Sequence, residues 1–384
     1  MNLSLDQDRA GLDDGHGHFR QSVRRFLAQE LTPNAAAWAE QGFPDRSFWR
    51  KAGEAGILGS FIPQEHGGPG GDFLHRAILA EELGYCPAGS TVGGSLEGDQ
   101  IAAYILRGGT EEQKQEWLPR IAAGETIIAV AMTEPHAGSD LRAIRTTAVA
   151  EGDEWIISGA KTYISSAWIA DLVLVACRTA LVDGRSGISL ILVETNRVGF
   201  RRGNMLKKMG MPASDTMELF FDQVRVPKAN ILAAPGEGFA MMMAELPKER
   251  LYIAFRALGA AFAAYEMTLD YVKSRPAFGR TVFDFQNTQF VLADIKTELA
   301  MGKAFMNECL VEMSQGVFDN ERSAMAKLWL TEMEGRVVDQ CLQLHGGAGY
   351  MNEFPISQLY TAARLHRIYG GTSEIMRMVI GRGL

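Results

Sequence analysis

Between Leu251 and Val272 the large apolar residues Leu251, Phe255, Leu258, Phe262, Tyr265, Leu269 and Val272 step alternately by four and three. That spacing places all of them on one face of a long helix, and a face that apolar must be buried against other elements. Pro247 stands just ahead. The spacing predicts a helix whose first turn holds Pro247, where a missing N–H costs nothing. Segments 285–314 and 320–345 carry the same helical pattern, as do Phe19, Val23, Phe26 and Leu27 and the stretch Trp49 to Leu58 near the N-terminus. The glycine-rich run Gly67 to Gly71 interrupts the early helices with a loop.

From about 125 to 234 the texture changes. Ile127 to Val130, Leu172 to Val175 and Ile188 to Val193 are short, rich in β-branched residues and bounded by turn formers, which predicts strands; Glu151-Gly152-Asp153 reads as a hairpin turn. Helices, then strands, then helices predict an α+β chain with an N-terminal helical domain (1–124), a central β domain (125–234) and a C-terminal helical domain (235–384).

Composition narrows the function. A chain of 384 residues with 47% hydrophobic and 22% charged residues is an ordinary globular protein of two or three domains. Its net charge of −8 argues against broad nucleic-acid binding, which needs a basic surface to displace counterions. Cys86, Cys177, Cys309 and Cys341 are scattered without C-x-x-C spacing, so neither a metal site nor a disulfide framework is expected. No apolar run is long enough to span a bilayer, and the acidic first twenty residues do not resemble a signal or transit peptide. A cytoplasmic location is the expectation.

Several loops carry candidate chemistry. Met132-Thr133-Glu134-Pro135-His136-Ala137-Gly138-Ser139-Asp140 follows a predicted strand, and its small residues and hydroxyls can crowd an anionic or carbonyl-bearing ligand; by itself it is equally a polar inter-strand loop. Gly159-Ala160-Lys161-Thr162-Tyr163-Ile164-Ser165-Ser166 is a strand that could also present an aromatic wall and a hydroxyl. Arg275 could grip a diphosphate through its planar fork or simply be solvated at a helix end. Gln343-Leu344-His345-Gly346-Gly347-Ala348-Gly349-Tyr350 is either a helix C-cap or a turn that lets backbone approach a cofactor.

In order, these segments resemble the signatures of the acyl-CoA dehydrogenase family, together with Lys208-Met209-Gly210-Met211, Arg275 to Arg280, Phe285-Gln286 and Ile368-Tyr369-Gly370-Gly371-Thr372-Ser373-Glu374. The resemblance runs from about residue 20 to 382 and is closest to the long-chain type. Three departures stand out: His136 replaces a usual glycine, Ser165 a threonine, and Gln358 an arginine.

The resemblance implies an FAD-dependent α,β-dehydrogenase of acyl-CoA thioesters. Its electrons would pass to an electron-transfer flavoprotein, and it would assemble as a homotetramer, a dimer of dimers. FAD contacts would fall on Met132, Thr133, Ser139, Tyr163, Ser165, Arg275, Phe278, Gln286, Gln343, Gly346, Gly347, Thr372 and Glu374, the later ones reaching a neighbouring subunit. Ser139 and Arg250 would contact substrate.

In many family members the position of Gly370 holds the catalytic glutamate, and glycine cannot accept a proton. The resemblance moves that role to Glu249, in Glu245-Leu246-Pro247-Lys248-Glu249-Arg250-Leu251, and leaves Gly370 as a backbone donor to the thioester oxygen beside the FAD ribityl 2′-hydroxyl. A glutamate at 370 in a chain lacking Glu249 is expected to restore part of the activity. Without the resemblance, Glu249 reads as a first-turn glutamate facing water. Two other readings share the fold: an acyl-CoA oxidase passing electrons to oxygen, and a non-catalytic DNA-binding flavoprotein. The resemblance also implies a helix around 90–106 as the floor of the acyl pocket; its Ser95, Glu97, Asp99 and Gln100 are either a set more polar than a simple fatty-acyl tunnel or equally, and more commonly, a solvated helix face.

Overall fold

The computed structural model describes residues 4–5, 9, 11–93, 95–181 and 185–384, with no side chains described at 95, 97 and 99. The polar set expected over the acyl pocket at Ser95, Glu97 and Asp99 therefore lies outside the described residues.

Seven helices come first: α1 (Asp14–Phe26), α2 (Ala35–Gln41), α3 (Arg46–Glu54), α4 (Phe73–Tyr85), α5 (Gly89–Val92), α6 (Ala102–Gly108) and α7 (Glu111–Ala122). Eight strands then form one sheet: β1 (Ile128–Ala131), β2 (Thr147–Glu151), β3 (Glu154–Ser165), β4 (Leu172–Ala180), β5 (Ser186–Glu194), β6 (Phe200–Met205), β7 (Thr216–Pro227) and β8 (Ile231–Leu232). Strand order is β6-β7-β3-β2-β4-β5-β8, and β1 pairs in parallel with β4. Glu151-Gly152-Asp153 does turn a hairpin: Glu151 pairs with Glu154, and Gly152 takes φ 56°.

The helices after the sheet are α8 (Gly238–Ser274), α9 (Gln286–Ser314), α10 (Asn320–His345), α11 (Pro355–His366) and α12 (Ser373–Gly381), with a small hairpin of β9 (Pro276–Ala277) and β10 (Arg280–Thr281) between α8 and α9.

Helix α8 organises the C-terminal half, packed between α4 and α10. Its predicted face is buried at Leu251, Phe255, Leu258, Phe262, Tyr265 and Val272. The α4–α8 contact is backbone-close. A Cβ on Gly84 would stand 2.0 Å from the Arg256 carbonyl oxygen, and one on Gly259 would stand 2.1 Å from that of Glu81. Gly259→Ala is therefore expected to force the two helices apart at a cost of about 1–3 kcal/mol, read as a lowered thermal midpoint with the flavin-loaded protein.

Three sequence expectations are corrected. Helix α8 begins at Gly238, so Pro247 lies inside it rather than in its first turn. The first turns are held by packing: Met241, Met242 and Glu245 are buried, and Gly238 sits against the backbone of β5. Tertiary burial there outweighs the proline's missing hydrogen bond. Glu249 is consequently in the helix interior, and the N-terminal dipole has no claim on its pKa.

The segment around 90–106 is not one helix. It breaks into α5, a 3₁₀ stretch Ser95–Ile101 and α6, with Gly93 at φ 55° between the first two. The helix read from Trp49 to Leu58 ends at Glu54, because Gly56 turns left-handed at φ 67°.

Among the described residues, His16, Asp72 and His75 have the proximity of metal ligands. Two helix capping boxes, Asp13 with His16 and Asp72 with His75, account for that geometry. No described helix is long and apolar enough to cross a membrane.

Candidate active site

A cleft of about 730 Å³ opens between the sheet and the C-terminal helices, lined by Thr133, Ser139, Tyr163, Ser165, Arg364, Gly370 and Thr372 among others. Its sheet side is held by Glu134, buried in the loop after β1. That carboxylate accepts Lys161 Nζ at 2.8 Å and the N–H groups of Arg145 and Thr146 at 2.7 and 2.9 Å. Burial pushes its pKa up, but these donors prevail and hold it down at about 2. His136, the departure in this loop, places Nε2 3.2 Å from the same carboxylate.

Lys161 also donates to the Met132 carbonyl at 3.0 Å, which ties β3 to the loop. Met132 itself is not among the residues lining the cleft. Where β3 ends, Tyr163 takes φ 59° and stays 68% exposed, so a strained backbone presents an aromatic ring to the cleft with the Ser165 hydroxyl beside it. Below them Asp215, pushed up to about 6 by burial, accepts the Trp168 N–H at 2.7 Å.

The opposite wall is the turn Ile368 to Thr372. Gly370 and Gly371 take φ 64° and 99°, and the Thr372 hydroxyl caps α12 by accepting the Ile375 N–H at 3.3 Å. The Gly370 N–H makes no hydrogen bond to any described residue. Two buried cations hold this turn by its carbonyls. Arg250 donates Nε to the Gly370 oxygen at 3.4 Å and Nη1 to Asn320 at 2.6 Å, while Lys327 Nζ donates to the Gly371 oxygen. Burial and the nearby Arg250 push Lys327 down to about 8. Arg250, expected at the substrate, is engaged instead with the turn.

Glu249 lies beside Arg250 and one turn before Ile253, both of which meet Gly370. Its carboxylate accepts the hydroxyl of buried Tyr104 at 2.9 Å and borders a pocket of about 150 Å³ walled by Phe61, Phe73 and Tyr252. Burial is the main force raising the Glu249 pKa; the Tyr104 hydroxyl opposes it, neighbouring Glu245 adds to it and Arg250 opposes it. Glu245 is itself paired with Arg107 at 2.5 Å and Lys248 at 3.2 Å. Gln100, of the expected polar set, lines this same pocket.

Arg275, Phe278, Gln286, Gln343, Gly346, Gly347 and Glu374 do not line the cleft, and all are exposed. Phe278 is 96% exposed at φ 50°, a costly arrangement for an aromatic residue. The ends of α8 and α10 that lead into these segments are joined by Tyr271 stacked on His345, with ring centroids 4.3 Å apart. Gln358 donates to the Asn352 carbonyl at 3.2 Å where the family's arginine is usual. Sequence reasoning missed Tyr104, Ile253, Asn320 and Lys327; no local motif marks them, since each meets its partner in the site across 44 or more positions.

Comparison with known proteins decides the family. Residues 13–125, 129–224 and 236–384 match the domains described as acyl-CoA dehydrogenase N-terminal, middle and C-terminal domain. The chain belongs to the acyl-CoA dehydrogenase family.

The long-chain specific acyl-CoA dehydrogenase of Rattus norvegicus mitochondria is 45% identical over 370 residues, covering 96% of this chain and 86% of that protein. The crystal structure of an acyl-CoA dehydrogenase from Geobacillus kaustophilus superimposes with a TM-score of 0.93 at 42% identity, covering 98% of this chain and 99% of that one. A glutaryl-CoA dehydrogenase from Mycobacterium smegmatis, solved in complex with FADH2, superimposes at 0.89 with 31% identity, covering 97% and 95%. Acyl-CoA dehydrogenases are FAD flavoproteins, and the cleft fits such a ring: an exposed aromatic face, a rim of Thr133, Ser139 and Ser165 hydroxyls, and an unpaired backbone N–H on the far wall.

Proposed function

We propose that this chain dehydrogenates a fatty acyl-CoA thioester to the trans-2-enoyl-CoA with Glu249 as the base. Electrons then pass to an electron-transfer flavoprotein. The observation that carries the reading is a single one: position 370 offers no side chain, and the carboxylate on the adjoining helix turn is half-buried in an aromatic pocket.

Thr133, Ser139, Tyr163, Ser165 and Thr372 would hold the flavin, with Met132 and Glu374 nearby, and FAD bound there would supply a hydride acceptor for the β-hydrogen of the substrate. Glu249 takes the α-proton. The charge developing on the thioester oxygen is met by the Gly370 N–H, which Arg250 and Lys327 hold in place through the turn's carbonyls. The aromatic walls exclude water, so a carboxylate with a raised pKa becomes a stronger base than one in solution.

Glu249 must be ionised to act, so activity rises with pH through its elevated folded-state pKa. Tyr104→Phe removes a donor that favours the ionised form. The acid limb of the pH profile of kcat/KM is expected to move to higher pH; an unmoved limb would detach Tyr104 from the base.

The exposed segments carrying Arg275, Phe278, Gln286, Gln343, Gly346 and Gly347 suit a surface that meets the FAD of a second subunit in a homotetramer. Arg275→Ala is expected to release flavin and loosen the oligomer together, read by absorbance and sedimentation. Loss of neither would detach this surface from the cofactor. A cytoplasmic location remains part of the proposal.

The whole reading is tested by mixing flavin-loaded protein anaerobically with straight-chain, branched and aromatic acyl-CoAs. Bleaching of the flavin by a fatty acyl-CoA supports it, and no bleaching by any thioester refutes it. Rapid reoxidation of the bleached protein by air would replace the flavoprotein acceptor with oxygen.

A further inference from the structure

A Cβ built on Gly370 stands 2.5 Å from Ile253 Cδ1, and among the described residues no other atom beyond its chain neighbours approaches it within 4 Å. Apart from the strain of its left-handed φ, the obstacle to a side chain at 370 is thus this one methyl. Ile253 lies four positions after Glu249, so the two stack on one face of α8, and helical side chains lean toward the N-terminus, here toward Glu249. It is 7% exposed. As a β-branched residue in a helix its χ1 is nearly fixed, so Cδ1 can clear a side chain at 370 only by rotating about χ2.

We propose that Ile253 is a positioning residue that decides which of two places can carry the base. It walls the Glu249 carboxylate on one side and occupies the volume through which a glutamate at 370 would reach the α-carbon. The sequence expectation that Gly370→Glu restores activity in a chain lacking Glu249 is revised accordingly: beyond the left-handed φ of 64° that strains any side chain at 370, the glutamate needs Ile253 Cδ1 displaced or trimmed. This rests on the proposed role of Glu249.

Four flavin-loaded variants built on Glu249→Gln test it by the rate of anaerobic flavin bleaching with a fatty acyl-CoA. Glu249→Gln/Gly370→Glu should remain close to Glu249→Gln. Adding Ile253→Ala should raise the rate by roughly tenfold or more, a fraction of what a positioned base supplies. In the triple variant, Tyr104→Phe should leave the pH limb unmoved, since a base at 370 no longer shares the Tyr104 hydroxyl; a purely structural role for Ile253 would not produce that uncoupling. Equal rates with and without Ile253→Ala overturn the proposal, as does a folded, flavin-bound triple variant no faster than Glu249→Gln.

A separate readout keeps this apart from the role of Glu249. The loss of thermal midpoint caused by Gly370→Ala should shrink when Ile253→Ala is present. Additive losses overturn the steric claim even if Glu249 is the base; undiminished turnover in Glu249→Gln overturns the base assignment while this cycle still reports on Ile253.

Discussion

Glu249→Gln is expected to slow flavin reduction by acyl-CoA by roughly 10²–10⁴-fold, the usual contribution of a positioned general base. Substrate binding should survive, seen as a perturbed flavin spectrum, because the amide keeps the shape of the carboxylate and can still accept the Tyr104 hydroxyl. Stability supplies an internal control. Burial favours the protonated Glu249 carboxyl in the folded state, so its folded pKa is raised above the unfolded value. The folded state therefore loses stability as pH rises through that folded pKa. Glutamine removes this loss, so the variant should be no less stable than the parent in mildly alkaline buffer. A slow enzyme that is also unfolded would have failed for another reason. Glu249→Asp should keep a little activity, limited by reach.

Arg250→Met is expected to have the second-largest effect. The guanidinium is buried and ties Asn320 on α10 to the carbonyl of Gly370. Methionine fills much of the stem's volume but donates nothing, leaving those acceptors unpaired at a cost of about 1–3 kcal/mol. The kinetic cost should be larger. If the turn relaxes, the Gly370 N–H leaves the developing oxyanion, and losing one such donor slows reactions by about 10²–10³-fold. Arg250→Lys should rescue poorly, because one ammonium cannot replace a fork aimed at two acceptors. The signature is a fall in kcat with little change in KM, measured with saturating artificial acceptor.

Much of this architecture is written in local pattern. The α8 face from Leu251 to Val272, the limits of α9 and α10 and the hairpin at Gly152 follow from periodicity and turn chemistry, which act over a few residues. Errors arose where packing overrode a local signal. Pro247 looks like a helix start, yet the preceding turns are stabilised by their burial against β5. The helix around 90–106, by contrast, rests on the family resemblance alone, and the local signal of Gly93, left-handed at φ 55°, breaks it.

The site divides in the same way. Glu249 and Gly370 are legible as a pair only through the family resemblance, which expects a carboxylate at one position or the other. Tyr104 and Ile253 are not, because their roles exist only once α6, α8 and the Gly370 turn meet. Arg250 is legible as a site residue but not in its role, since nothing in its neighbours says that it grips the turn.

The central claim, that Glu249 takes the α-proton, is tested most directly by following that proton. Acyl-CoA deuterated at the α-carbon would be incubated anaerobically in ordinary water with flavin-loaded protein, and the label remaining would be read by mass spectrometry. The parent should wash the deuterium out as abstraction and return repeat, while Glu249→Gln, with acyl-CoA bound, should leave it in place. Washout by Glu249→Gln at the parent's rate would contradict the account.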